Sequence, residues 1–197
     1  MYMLAAGALL VCIILICTLM SQWTSHKELK GGEQCKCDPT GDELKRCPNV
    51  PCKELGLELK GFTSNSKGDM LSPILSTIHT GTIDYDFGSR PILGTGRNNN
   101  VRLNFTGFIK APITGTVQFR VQSDDGTILL INGAKVVDIW WVHGPMYAES
   151  PAIAMTMGQY YPIDLRYYQA GGGGVLRLHW RYGGSGYSPV PAEYMRH

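Results

Sequence analysis

The sequence predicts an all-β chain: an antiparallel β-sandwich preceded by an N-terminal transmembrane helix. From Gly56 onward apolar residues recur with period two, and short alternating runs are separated by turn dipeptides. Residues Met1 to Ser25, by contrast, carry no Asp, Glu, Lys or Arg. Over 197 residues there are 24 glycines and 11 prolines and only 17% charged residues, a loop-rich balance that suits β structure better than a helical bundle. The net charge of +2, with no run of Lys or Arg, excludes a nucleic-acid groove, so nucleic acid is not an expected partner.

The first element is the apolar run Met3 to Met20. As a helix it spans about 27 Å, close to the roughly 30 Å hydrocarbon thickness of a bilayer. Trp23 follows it as an interfacial anchor. A cleaved secretion signal is the competing reading. It fits less well, because the start is Met-Tyr-Met rather than basic and Leu19 or Trp23 stands three places before the candidate cuts. Residues 1–25 are therefore read as a single-pass anchor. Lys27 and Lys30 just after it argue for a cytosolic C-terminal part, whereas the cysteines beyond and the sequon Asn104-Phe105-Thr106 argue for an extracytosolic or particle-exterior one, the side taken here.

Residues 26–54 form a stem with alternating charges, too poor in apolar residues to build its own core. It holds Cys35, Cys37, Cys47 and Cys52, whose spacing departs from the paired C-x-x-C knuckles of zinc ribbons. Two disulfides are expected, pairing 35 with 47 and 37 with 52, or 35 with 52 and 37 with 47; zinc and free thiols are the alternatives. Cys12 and Cys17 read as small hydrophobes within the apolar run.

The sandwich is expected over residues 55–197. Val101 to Phe105, Thr116 to Gln122, Ile163 to Tyr167 and Leu176 to Trp180 alternate apolar with polar residues, placing Val117, Phe119 and Val121 on one face and Gln118, Arg120 and Gln122 on the other. Asp124-Asp125-Gly126, Asn132-Gly133, Gly158-Gln159 and Gly171 to Gly174 punctuate them. The one place where a helical turn is expected is Met70 to Ile78. Asp84 and Asp86 read as outward strand residues flanking Tyr85.

Gly56 to Phe62, Ile83 to Gly88, Val101 to Ile109 with Gly115 to Phe119, Ser123 to Gly133, Val137 to Trp140, Tyr161 to Tyr168, Leu176 to Trp180 and Pro191 to Tyr194 follow one another in an order that resembles the protective-antigen-type β-sandwich. That domain was first recognised in anthrax toxin and also occurs in fungal adhesins and as inserts in glycosidases. The resemblance covers the sandwich and neither the anchor nor the stem. It implies a binding or assembly module rather than a catalytic one. In the glycan-binding fungal members a pair of aspartates before a glycine coordinates calcium, which ligates sugar hydroxyls; the matching residues here are Asp124 and Asp125. Adjacent carboxylates repel unless a cation lies between them, and their convergence requires a distorted or cis peptide. Ser-Asp-Asp-Gly is equally a favourable turn between two strands.

One departure weakens the calcium reading. The adhesins add a side-chain oxygen from the loop before the last core strand, and here Gln169 to Val175 offers one early Gln and a run of glycines, Gly172 and Gly173 among them. Trp140 matches the family's core tryptophan, so Trp141, pointing the other way, and His143 are the candidates for an aromatic wall against a sugar ring. His79 and His179 lack metal-ligand spacing. Ser123 lacks a nucleophile-elbow context and a histidine partner, so an enzyme is not expected. The functional expectation is a membrane-anchored, calcium-assisted glycan-binding module. The alternative is a structural component that docks onto neighbouring proteins in a membrane-associated assembly, such as the shell and inner membrane of a large virus.

Overall fold

A computed structural model describes residues 53–197. The predicted anchor over 1–25 and the stem cysteines Cys35, Cys37, Cys47 and Cys52 lie outside the described residues. Among the described residues no helix is long and apolar enough to cross a membrane.

In chain order the strands are β1 (Leu57–Ser64), β2 (Met70–His79), β3 (Asp84–Gly88), β4 (Val101–Lys110), β5 (Gly115–Asp124) and β6 (Thr127–Ile131). They continue as β7 (Ala134–Ile139), β8 (Met146–Glu149), β9 (Ile153–Met155), β10 (Tyr160–Gln169) and β11 (Gly174–Tyr182), with the short β12 (Ser188–Pro189) and β13 (Met195–Arg196) after them. All pairings are antiparallel. One sheet runs β2-β1-β4-β10-β6-β7, with β13 also on β4; the other runs β12-β11-β5-β8, with β3 on β11 and β9 on β5.

The period-two pattern sets which residues meet between the sheets. Val101, Leu103, Phe105, Leu165 and Tyr167 from the first sheet and Val117, Phe119, Val121, Leu178 and Trp180 from the second belong to one buried apolar cluster. Each such side chain contributes on the order of 1.5–3 kcal/mol by leaving water. Asn132 and Gly133, at φ 51° and 78°, make the tight turn between β6 and β7 that the dipeptide predicts.

Two expectations need correction. Met70 to Ile78 is no helical turn: it lies within β2, an edge strand, where Pro73 is tolerated because an outer strand edge needs no ladder donor. Trp140 does not join the inter-sheet core. It is half-buried and packs against Tyr168, the rings tilted by 58° with centroids 4.7 Å apart, and the central tryptophan is Trp180, 1% exposed. Asp84 and Asp86 do point outward, where both pair with Arg177.

Candidate functional site

Three connections pass from one sheet to the other at the same end of the sandwich. Asp125 and Gly126 carry the chain from β5 to β6, residues 140–145 from β7 to β8, and residues 170–173 from β10 to β11. The Ser-Asp-Asp-Gly segment is therefore a crossover between sheets, not a hairpin turn. The Asp124–Asp125 peptide bond is cis.

Asp125 ties the three connections together. It is 2% exposed. Its Oδ1 accepts the backbone N–H of His143 at 3.0 Å, and its Oδ2 accepts that of Ala170 at 2.8 Å. Charge-assisted bonds of this kind are worth about 1.5–3 kcal/mol each. The bend is held from the other side as well: Tyr168 N–H donates to the Gly126 carbonyl at 2.9 Å, and the Tyr167 hydroxyl lies 2.7 Å from the Asp124 carbonyl oxygen.

Asp124 differs in kind from its neighbour. It is only half-buried, and no hydrogen bond stabilises its charged form. Burial first, and the Asp125 charge second, push its carboxyl up to about 6, against a smaller opposing influence from His143. The raised folded-state value makes protonation favour the fold. Stability should increase as pH falls through about 6 and level off near the unfolded carboxyl value of about 4. Solvent screening reduces the effect to about 1 kcal/mol. Thermal melts in calcium-free buffer should show this gain, and Asp124→Asn should flatten it; parallel pH profiles for the two proteins would refute the assignment.

The two connections bonded to Asp125 carry the sequence-predicted Trp141, His143, Gly172 and Gly173. Trp141 is 50% exposed and meets the His143 ring edge-on at a centroid distance of 5.6 Å. The His143 Nδ1 lies 2.7 Å from the Gly144 carbonyl oxygen, and its Nε2 has no partner. Gly172 and Gly173 are exposed in the connection that Asp125 holds through Ala170. Gln169 braces the glycine loop: it is fully buried, its Oε1 is 3.0 Å from the Tyr167 hydroxyl, and its Nε2 donates to the Gly171 carbonyl at 2.8 Å.

Asn104 lies apart from the site, on the outer face of β4. Its Oδ1 accepts from Arg102 Nε at 3.0 Å and its Nδ2 is 3.8 Å from Met70 Sδ. Ser123 is fully buried.

Tyr167, Tyr168 and Gln169 carry structural roles that alternation alone did not assign. The signal in the sequence was the break in alternation at the adjacent aromatics Tyr167 and Tyr168; the structure buries both of them and Gln169.

A cation at this site would take oxygen ligands. The Asp124 carboxylate, the remaining lone pairs of Asp125 and backbone carbonyls of the 170–173 connection suit the hard-oxygen preference of calcium. Among the described residues no group of three or more His, Cys, Asp or Glu side chains converges to hold a metal ion. Backbone, water or ligand oxygens would therefore have to complete the shell.

The PA14 domain model matches residues 54–194. No curated protein matches the chain. Among solved structures, an anti-sigma factor domain-containing protein from Clostridium clariflavum is 28% identical with a TM-score of 0.66, over 75% of this chain and 49% of that one. Another anti-sigma factor domain-containing protein is covered to 47%, so the chain spans about half the length of these two relatives. A PA14 sugar-binding domain from an RTX adhesin shares the fold at 20% identity and a TM-score of 0.59, over 73% of this chain and 98% of that one. So does the epithelial adhesin 6 A domain of Candida glabrata, solved in complex with Galβ1-3GlcNAc, at 16% identity and a TM-score of 0.56, over 76% of this chain and 91% of that one.

Proposed function

The chain belongs to the PA14 domain family, and from that premise we propose that it is a non-catalytic carbohydrate-binding module whose site is the crossover end of the sandwich. The observation that carries the reading is the tie made by Asp125. One buried carboxylate holds two other connections, so Asp124, the exposed Trp141 and Gly172–Gly173 lie on three connections tied at one end of the sandwich.

In this reading Asp124 and Asp125 hold calcium, which supplies a positive charge to which sugar hydroxyls can bind as further oxygen ligands. Trp141, with His143 against it, supplies an apolar face for the C–H side of a sugar ring. Gly172 and Gly173, without side chains, let the ligand approach the backbone. The β-galactosides in the adhesin complexes, Galβ1-3GlcNAc and β-lactose, give the first ligand class to try. The apolar run Met3 to Met20 tethers the module to a membrane in this proposal, on the extracytosolic or particle-exterior side, with the stem as spacer.

The test is a glycan array followed by calorimetry on the full chain, with and without millimolar calcium. Saturable galactoside binding should weaken at least about tenfold, roughly 1.4 kcal/mol, on calcium removal and again in Asp124→Asn with its fold intact. Absence of any retained glycan from the folded protein would return the chain to the docking role in a membrane-associated assembly. Stoichiometric partners recovered after mild detergent extraction would then be the expected result.

A further inference from the structure

A long sheet edge is normally shielded, because unpaired N–H and C=O groups invite another strand. Most edges of this sandwich are. At the far edge of the first sheet, β7 carries the Lys135–Asp138 ion pair. The edges of the second sheet are broken into short pieces: β8 and β9 of 4 and 3 residues on one side, β3 and β12 of 5 and 2 residues on the other.

β2 is the exception. It has 10 residues and pairs with β1 alone, and among the described residues nothing covers its outer edge. Residues 70–79 contain no Asp, Glu, Lys or Arg. Met70, Leu71, Ile74 and Ile78 are 48%, 62%, 37% and 39% exposed. Pro73 removes one donor, at the point where the register to β1 shifts. Beyond it the run from Leu75 to His79 pairs with Gly61 to Leu57 without interruption and so offers a regular edge.

We propose that this edge pairs with β2 of a second copy of the chain, joining two first sheets across a two-fold axis near Ser76. The occupant follows from charge and symmetry. An isologous antiparallel pairing sets each residue against its own mirror set, so a charged residue near the axis would meet its own sign. The segment has none to meet. With the axis at Ser76, Ile74 lies opposite Ile78 of the second copy, Leu75 opposite Thr77, and Ser76 opposite Ser76, so the two exposed isoleucines face each other and no position sets like charges together. His79 adds no conflict: it packs edge-on against Phe105 and Tyr85 beneath the sheet, and burial lowers its pKa. In the next row Lys60 and Glu58, opposite Ser76 and Ile78 on β1, neutralise each other at 3.6 Å.

Amide hydrogen exchange of the full chain in mild detergent, read at increasing protein concentration, tests this directly. Amides within 74–79 should gain at least about tenfold protection across the micromolar range, with no matching change at the β7 edge. Ser76→Glu, which sets two carboxylates on the axis while facing Lys60 within its own chain, should abolish the gain without lowering the melting temperature, and Ile74→Glu should do the same through a different row. Protection that does not depend on concentration would overturn the proposal. So would a concentration-dependent gain that survives both substitutions, since association through another part of the chain would then account for it.

Discussion

Asp125→Ala should lower the unfolding free energy by about 3 kcal/mol, while Asp124→Asn at neutral pH should raise it by about 1 kcal/mol. The two carboxylates are neighbours in sequence, and this opposite sign follows from what each touches. Removing the Asp125 carboxylate leaves the His143 and Ala170 amides without their acceptors at 3.0 and 2.8 Å. Each orphaned donor costs about 1–3 kcal/mol, towards the lower end where water reaches it. Asn at position 125 is no rescue, because its amide nitrogen would turn a donor towards one of those N–H groups. At position 124 no such bond is lost, and the burial and like-charge penalties that raise its carboxyl to about 6 disappear. Urea unfolding of both variants at neutral pH without calcium decides the matter. If Asp125→Ala and Asp124→Asn moved the midpoint in the same direction by similar amounts, Asp125 would not be the tie. The contrast also selects the functional probe: glycan loss in Asp124→Asn reports on the site, whereas loss in an Asp125 variant would mix the site with the fold.

Much of this architecture is legible in side-chain pattern. Val117, Phe119 and Val121 announce their buried face, Asn132-Gly133 announces its turn, and the succession of strand landmarks carries the family. What escapes is carried by the backbone or by context. Nothing in the residue type of Asp125 says that its oxygens take the amides of His143 and Ala170, because any residue but proline offers such an N–H. β2 reads poorly for a different reason. With one neighbouring strand among the described residues, its apolar residues are not confined to a buried face, so Met70 to Ile78 lacks the alternation that marks β5. The tryptophans show a third limit. Trp140 and Trp180 are equally apolar, and only the packing decides that Trp180 fills the core while Trp140 covers Tyr168 beside the site. Gln169 could be placed in the right loop from sequence, but its use as a brace depends on the Tyr167 hydroxyl and the Gly171 carbonyl reaching it.

Gly126→Ala should destabilise the chain by about 2–3 kcal/mol through a contact that no glycine dihedral demands. A Cβ at Gly126 would stand 2.2 Å from Tyr168 Cε1 and 3.0 Å from Cδ1. The ring has little room to retreat. Tyr168 is 1% exposed, and Gly68 also lies close against the ring, where an added Cβ would stand 2.6 Å from Tyr168 Cδ1 and 2.7 Å from Trp140 Cζ2. Tyr168→Ala should itself cost about 3–5 kcal/mol by emptying that slot. The double variant is the informative one: with the ring gone the alanine methyl has space, so the combined loss should fall short of the sum by about 1–3 kcal/mol. Additive losses in a denaturant double-mutant cycle would mean that the ring does not confine the bend. The same packing reaches the proposed site, because the Tyr168 N–H bonded to the Gly126 carbonyl sets where the Asp124–Asp125 segment lies against the sheet. Gly126→Ala should therefore weaken galactoside binding even where the protein remains fully folded, although residue 126 would touch neither metal nor sugar. Unchanged affinity in a folded Gly126→Ala would show that the aspartates are positioned by Asp125 alone.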